Sequence, residues 1–346
     1  MPALKVDLYS DTASKPTAGM RKAMAEAEVG DEQMNEDPSV NRLCARVAEL
    51  LGKPAAVFMP SGTMCNQVAF RVWCQPGDEI LMDRQAHPIS SEAGGPAALS
   101  GALCTGLDGE RGMFDAAQVK AAIRIRRRHN PRTAVLSVEN TANRGGGSVW
   151  PLAKVAEVTA VAREAGLKTH MDGARLLNAT VAAGVAPKDY ARHFDSIWVD
   201  LSKGLGCPVG AVLAGDAEFI DHSWRYKQQL GGAMRQAGVI AAAGLYALDH
   251  HIDRLAEDHA NAKHFASAIA QLPGIKLDVS QIETNMIYFD VAGTGMTAFE
   301  VRDKLIAKGV RIGASTERLM RACTHLDVGR ADVELAARTL REVVAR

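Results

Sequence analysis

Lys203 follows the apolar run Ser196-Ile-Trp-Val199 and leads directly into a glycine turn, in Asp200-Leu-Ser-Lys-Gly-Leu-Gly206. A lysine held at the end of a buried strand with little steric cover can form an imine with an aldehyde cofactor. Lysines beside glycines are common, so this segment carries little by itself. A second segment, His170-Met-Asp-Gly-Ala-Arg175, also closes an apolar strand and places Asp172 at its end. A carboxylate there can keep a pyridine nitrogen protonated and make the ring an electron sink. The plainer alternative is a helix cap, with Arg175 paired to it on the surface. A third segment, Pro60-Ser-Gly-Thr-Met-Cys-Asn66, opens an apolar helix. Its small residues Ser61, Gly62 and Thr63 would expose backbone N–H groups at the positive end of the helix dipole, where a phosphate can bind. Together, the lysine, the carboxylate and the anion cradle describe one cofactor, pyridoxal 5'-phosphate.

Two further residues extend the set. Of the ten histidines, His87, followed by Glu92-Ala-Gly-Gly95, is the one whose context suits stacking on a cofactor ring and proton exchange near neutral pH. Arg321, in Arg-Ala-Cys-Thr324-His325, could clamp a substrate carboxylate with two parallel hydrogen bonds. Its plain reading is an ordinary surface arginine. No metal is assigned.

These residues need strand ends to carry them, and the sequence supplies alternating strands and helices. Ala134–Val138, Lys168–Met171, Ser196–Val199 and Gly210–Leu213 read as strands. Pro151 opens a helix whose inner face is Val155, Val158, Val161, Ala162 and Ala165, and Gly166 ends it. This rhythm predicts an α/β fold with a mainly parallel central sheet covered by helices. After about residue 250 the pattern changes to a long polar helix over 249–269, short strands, and helices over 298–308 and 331–345. The expected division is a large cofactor-binding domain over 1–250, with an N-terminal arm over 1–15, and a smaller α+β domain over 251–346.

The chain has 346 residues, with forty basic and forty acidic side chains that cancel. That balance gives no reason to expect nucleic acid or an anionic membrane as partner. The longest apolar stretch, Val239–Leu248, falls well short of the ~20 residues that crossing a bilayer requires, and reads as a buried helix. Six scattered cysteines without a C-x-x-C pair suit reduced packing residues and a cytoplasmic protein. The basic run Arg124 to His129 reads as a solvated helix end.

The order of motifs resembles that of the low-specificity L-threonine aldolases of the beta-eliminating lyase group, within the aspartate aminotransferase superfamily (fold type I). The resemblance runs from Asp7-Leu-Tyr-Ser-Asp-Thr12 through Ser61-Gly-Thr63, His87 with Glu92, Glu139-Asn-Thr141, Asp172-Gly-Ala-Arg175, Leu201-Ser-Lys-Gly-Leu-Gly206 and Met234-Arg-Gln-Ala-Gly238 to Arg321 with Thr324-His325. It implies that Lys203, His87 and Asp172 are catalytic. It implies that Ser10, Arg175 and Arg321 bind the substrate carboxylate. Gly62, Thr63 and Ser202 would hold the cofactor phosphate, and Arg235 would reach in from a neighbouring subunit of a homotetramer, a dimer of dimers. Three positions depart from the pattern: Ala142 stands where a histidine would face the substrate hydroxyl, Tyr9 replaces an arginine, and Gln33-Met-Asn35 lacks a tyrosine. Ala142 therefore predicts a larger, less polar pocket for the β-substituent.

The activity so implied is reversible cleavage of L-β-hydroxy-α-amino acids, of the threonine, allo-threonine or phenylserine type, to glycine and an aldehyde. The rivals are another pyridoxal-phosphate lyase or an aminotransferase acting on a small amino acid, and a non-catalytic member of the fold. Retention of Lys203, Asp172 and Arg321 argues against the last, because a binding module needs no imine-forming lysine.

Overall fold

The computed structural model describes residues 3–345. Seven strands form the central sheet: β1 (Ala55–Met59), β2 (Glu79–Asp83), β3 (Leu103–Leu107), β4 (Thr133–Glu139), β5 (Lys168–Asp172), β6 (Ser196–Asp200) and β7 (Ala211–Gly215). They lie in the order β1-β7-β6-β5-β4-β2-β3. The joins from β6 across to β3 are all parallel, and β7 runs antiparallel to both its neighbours. The sheet is mainly parallel, as the alternation of strands and helices requires. β2 and β6 are buried along their whole length, so their centres, Ile80-Leu-Met82 and Ile197-Trp-Val199, are consecutive apolar residues rather than alternating ones. The edge strand β3 begins with two exposed residues and carries no such signature.

The helices covering the sheet follow from local chemistry. The Pro38–Leu51 helix buries Val40, Leu43, Val47 and Leu51, at helical spacing, and ends at Gly52 in the left-handed region (φ 60°). The helix expected after Pro151 spans Leu152–Glu164, with Val155, Val158 and Ala162 buried, and Gly166 (φ 76°) turns the chain after it. The buried helix expected at Val239–Leu248 is present, and the polar helix expected over 249–269 starts late, at Leu255. The first, Gly238–His250, ends before a break, and the second runs Leu255–Ile269. The break is fixed from outside: buried His251 uses Nδ1 to bond the Leu205 carbonyl, 2.7 Å away in the lysine loop. The basic run lies just past the Ala116–Ala122 helix, where Arg124 Nε donates to buried Glu79 (2.9 Å).

The C-terminal lobe is a three-stranded antiparallel sheet of Gly313–Ala314, Leu319–Cys323 and Met286–Asp290, backed by the helices Leu255–Ile269, Ala298–Ala307 and Arg330–Val344. Val6–Asp7 pairs in parallel with Val310–Arg311, and Val6 and Leu8 are buried in this lobe's apolar core. The N-terminal arm is thus anchored to the C-terminal lobe before the chain enters the large domain. Among the described residues, no helix is long and apolar enough to cross a membrane. All six cysteines are free thiols.

Asp37 joins two helix starts. Fully buried, it accepts from the N–H groups of Ser39 and Val40 as N-cap, and from those of Gly30 and Gly238 across the domain. No single side chain of another type replaces four such bonds. Asp37→Ala is expected to cost about 2–4 kcal/mol, combining a lost cap with lost charge-assisted bonds. The measurement is the urea midpoint, taken with an unchanged slope.

Candidate active site

β4, β5 and β6 all end on an acid: Glu139, Asp172 and Asp200. These three acids line a cavity of about 530 Å³ at the carboxyl ends of the parallel strands, where open α/β sheets place their ligands. Every cofactor-, substrate-binding or catalytic residue anticipated from the sequence lines this cavity except Arg235, and Ala142, expected beside the substrate, does not line it either.

The cavity floor is organised by Asn66, fully buried on the Gly62–Trp73 helix. Its Oδ1 accepts from Trp198 Nε1 (2.7 Å) and its Nδ2 donates to Asp172 Oδ2 (2.8 Å) and Glu92 Oε1 (2.7 Å). Burial drives His170 down to about 3, so its ring is neutral. His170 Nε2 therefore donates to Asn66 Oδ1 (3.1 Å), and Nδ1 accepts from Ser196 Oγ (2.9 Å), which in turn accepts from Trp73 Nε1 (2.9 Å). The chain of donors leaves one orientation for the Asn66 amide, with its NH2 toward the two carboxylates.

Asp172 is buried, held by Asn66 and by the Ala174 N–H (3.0 Å). Burial, with repulsion from Glu139, pushes its carboxyl up to about 7, against the pull of Lys203 and Asn66. Lys203 Nζ donates to Asp200 Oδ2 at 2.7 Å and lies 5.5 Å from the Trp198 ring centroid. His87 is fixed at both ends: its N–H donates to Glu139 Oε2, and its Nδ1 bonds Glu92 Oε1, both at 2.8 Å. The Glu92 bond raises the imidazole above its ordinary value, outweighing burial. With Nδ1–H given to Glu92, Nε2 is left for chemistry in the cavity.

At the start of the helix that carries Asn66, Ser61 is the cap, accepting from the Met64 N–H (3.2 Å). A Cβ on Gly62 would come within 2.2 Å of the Trp198 ring, so this turn admits only glycine. Arg175 and Asp11 form a buried pair with two 2.7 Å bonds, from Nε and Nη2. Burial alone would raise the Asp11 carboxyl, but the guanidinium holds it well below the usual range. Arg175 keeps Nη1 for the cavity. Arg321 reaches Asn143 Oδ1 and the Tyr9 carbonyl, each at 3.2 Å, from the C-terminal lobe. Arg235 points elsewhere: exposed, it pairs with Asp31 (2.8 Å) and touches no part of its own chain's cavity.

One expectation is overturned. Ala142 does not line the cavity. It is buried, bridged to Ser148, and its methyl group presses toward Gly112, where an added Cβ would lie 2.6 Å from it. The next residues, Asn143 and Arg144, line the cavity instead. The bonds Ala142 N–H to Ser148 O (3.1 Å) and Gly147 N–H to Ala142 O (3.0 Å) hold the turn in this sense. Pocket size is therefore not set by the methyl at 142.

Sequence reasoning passed over the roles of Asn66, Asp200, Glu92, Glu139 and Asp11. The usable signal was the run of acids at consecutive strand ends. Asn66 offered none, since an asparagine one turn into an apolar helix reads as unremarkable.

The profile of the beta-eliminating lyases matches residues 7–292. The chain belongs to that family. Over 342 residues it is 40% identical to the low specificity L-threonine aldolase of Escherichia coli (strain K12), covering 99% of this chain and all of that one. It is 38% identical over 333 residues to low-specificity L-threonine aldolase 1 of Arabidopsis thaliana, covering 95% and 93%. In fold it is similar to Leishmania major threonine aldolase (TM-score 0.83, 17% identity, 98% of this chain and 100% of that one). It is also similar to a Sphingomonas wittichii serine palmitoyltransferase (TM-score 0.76, 15% identity, 99% and 91%). One fold thus supports different reactions, and the residues of the site decide between them.

For a beta-eliminating lyase the cofactor is pyridoxal 5'-phosphate, and the donor set fits it. A fully buried carboxyl pushed up to about 7 is suited to a protonated ring nitrogen, a helix start offers free N–H groups, and Lys203 opens into the same cavity.

The pairing of His87 with Glu92 makes a prediction about proton affinity. In the cofactor-free protein, the His87 ring should titrate above an ordinary histidine. Glu92→Gln removes the main cause, so the midpoint should move down and the ring should lose its proton at a lower pH. NMR titration of the histidine ring protons, with His87→Asn to assign the signal, checks this; an unmoved midpoint would break the assignment.

Proposed function

We propose that the protein is a pyridoxal-phosphate-dependent aldolase that reversibly cleaves L-β-hydroxy-α-amino acids to glycine and an aldehyde. The observation that carries this reading is the convergence of Lys203, Asp172 and His87, from three separate chain segments, on one cavity. When bound, the cofactor takes up the electron pair left on Cα as the Cα–Cβ bond breaks. Asp172 keeps the ring nitrogen protonated. The N–H groups at Gly62 and Thr63 and the Ser61 hydroxyl hold the phosphate, and Ser202 joins them by turning its hydroxyl from Asp200 Oδ1 (2.9 Å).

Arg321, the free Nη1 of Arg175 and the Ser10 hydroxyl hold the substrate carboxylate, which fixes the Cα–Cβ bond relative to His87. His87 Nε2 takes the β-hydroxyl proton, and Glu92 stabilises the imidazolium that results. Because Glu92 raises His87, the neutral base becomes scarcer as pH falls, and cleavage should weaken on the acid side. Lys203 anchors the cofactor and returns to it when glycine leaves.

Arg235 completes the phosphate site of a second subunit in this reading, and the assembly is a dimer of dimers. Its exposed position and exclusion from its own cavity support a role across an interface. Free thiols throughout suit a reducing compartment, and we place the protein in the cytoplasm.

Two measurements test this. Incubation with L-threonine should yield glycine and acetaldehyde; pyruvate with ammonia would instead mark a β-eliminating activity. Lys203→Ala should lose turnover by several orders of magnitude, and Asp172→Asn about 10²–10⁴-fold in kcat. Near-normal kcat in Asp172→Asn would reduce that residue to a structural partner of Asn66 and the Ala174 N–H.

The shared site has a separate test. Lys203→Ala and Arg235→Ala should each be nearly inactive alone. Mixed and reassembled, they should regain about a quarter of wild-type activity, because in a heterodimer one of the two sites receives both intact residues. No recovery would place Arg235 outside the site.

A further inference from the structure

Asp200 ends β6, and its side chain is almost fully buried. One carboxylate oxygen, Oδ1, closes a local turn: it accepts from the Ser202 N–H (2.7 Å) and from the Ser202 hydroxyl (2.9 Å). The other, Oδ2, accepts from Lys203 Nζ at 2.7 Å. Two other acids lie close enough for Lys203 to act on their charge, but both are engaged elsewhere. Asp11 is bound twice by Arg175, and Asp172 is held by Asn66 and the Ala174 N–H. On its remaining side, Lys203 faces the Trp198 ring. Asp200 is therefore the one acid with an oxygen given to this lysine, and its other oxygen is fixed by the backbone.

We infer that Asp200 is a positioning residue for Lys203: it docks the ε-ammonium group whenever the lysine is not bonded to the cofactor. This rests on the proposed function for its setting. Lys203 is unbonded in two circumstances, before the cofactor is loaded and while the substrate holds it. At the exchange, the substrate nitrogen forms its bond to the cofactor's aldehyde carbon as the bond to Nζ breaks. The two protons given up by the substrate ammonium end on Nζ. The lysine leaves as an ammonium group, with no net charge change in the cavity. A flexible four-carbon stem carrying that charge would otherwise sample the cavity. Held by Asp200, it stays a fixed distance from the carbon to which it must return.

The division of labour between the two oxygens selects the variants. Asp200→Asn keeps Oδ1 for the Ser202 turn and replaces the oxygen facing Lys203 with an NH2 group that cannot accept. Asp200→Ser is the second variant, retaining a hydroxyl acceptor near the turn in case the amide folds poorly. Asp200→Glu keeps the charge.

The first readout uses the cofactor-free protein: trace acetylation by acetic anhydride, with mass spectrometry comparing Lys203 to the exposed Lys22 and Lys276. Losing a charge-assisted partner should speed acetylation of Lys203 about 10-fold relative to those references in Asn and Ser, and much less in Glu. The second readout is steady-state cleavage of L-threonine, where kcat should fall about 10-fold in Asn with KM held, since substrate capture is left intact. An unchanged Lys203 ratio in both neutral variants would overturn the inference. So would a rise in KM alone. Absence of glycine with the wild-type enzyme would sink the aldolase reading, but would leave the acetylation comparison to decide the docking role by itself.

Discussion

The orientation of one side-chain amide, that of Asn66, governs the chemistry of this site. Glu92 and Asp172 lie on different segments, and both are buried beside Glu139. Carboxylates gathered in a low-dielectric floor repel one another, and burial adds a desolvation cost to each. A donor that can reach two of them reduces both effects. Asn66 does so only because Trp198 and neutral His170 occupy its oxygen, and His170 is neutral because burial disfavours its charge. The chain of cause runs from Trp73, at the end of the helix that carries Asn66, and Ser196, at the start of β6, through His170 to the carboxylate proposed to meet the cofactor ring. A buried polar network of this kind is stable when every member is satisfied, and costly when one is lost.

A second constraint decides how the two lobes share the cavity. Ser10 and Tyr9 line it from the N-terminal arm, Arg321 from the C-terminal lobe, and Arg175 from the large domain. The buried Asp11–Arg175 pair fastens the arm to the end of β5, while the Val6–Asp7 strand fastens it to the C-terminal lobe. Asn285 adds a bond from that lobe to Asp11 (3.1 Å). The arm is therefore a tie between two bodies, and the residues proposed to grip the substrate carboxylate converge on it. Breaking a buried pair by removing one partner leaves an uncompensated charge. Asp11 therefore matters to the geometry of carboxylate binding without touching the substrate.

Much of this was legible from the sequence because strand-end residues announce themselves. Asp172 and Lys203 each follow an apolar run and precede glycine, and that local grammar survives into the structure. The helices over 298–307 and 330–344 were equally plain, since their apolar spacing is regular. What was hidden depends on distance in space. The break between His250 and Leu255 is set by a bond to Leu205, 46 residues earlier, and no local pattern records it. Ala142 was misread for a related reason. Its motif position suggested a face toward the cavity, whereas the hydrogen bonds of its own turn send the methyl group toward Gly112. Position in a motif gives the neighbourhood of a residue; the turn gives its direction.

The charge balance of the site explains why Asp172, the acid proposed to meet the cofactor's ring nitrogen, is so unsuited to ionisation. At the end of β5 a negative charge on Asp172 is resisted first by burial and then by repulsion from Glu139 and Glu92. Asp172 carries that resistance as a carboxyl that still holds a proton near pH 7. In the proposed reading, a proton held there already lies where the cofactor's ring nitrogen would acquire one. If the cofactor's ring nitrogen meets Asp172 as proposed, the carboxyl could supply that proton, and the resulting charge pair would satisfy both groups. Had Asp172 been solvated and fully ionised, the same contact would have required desolvating a charge at the moment of binding. Crowding the acids raises the free energy of the empty floor, and it also leaves the cofactor as the group best able to relieve it.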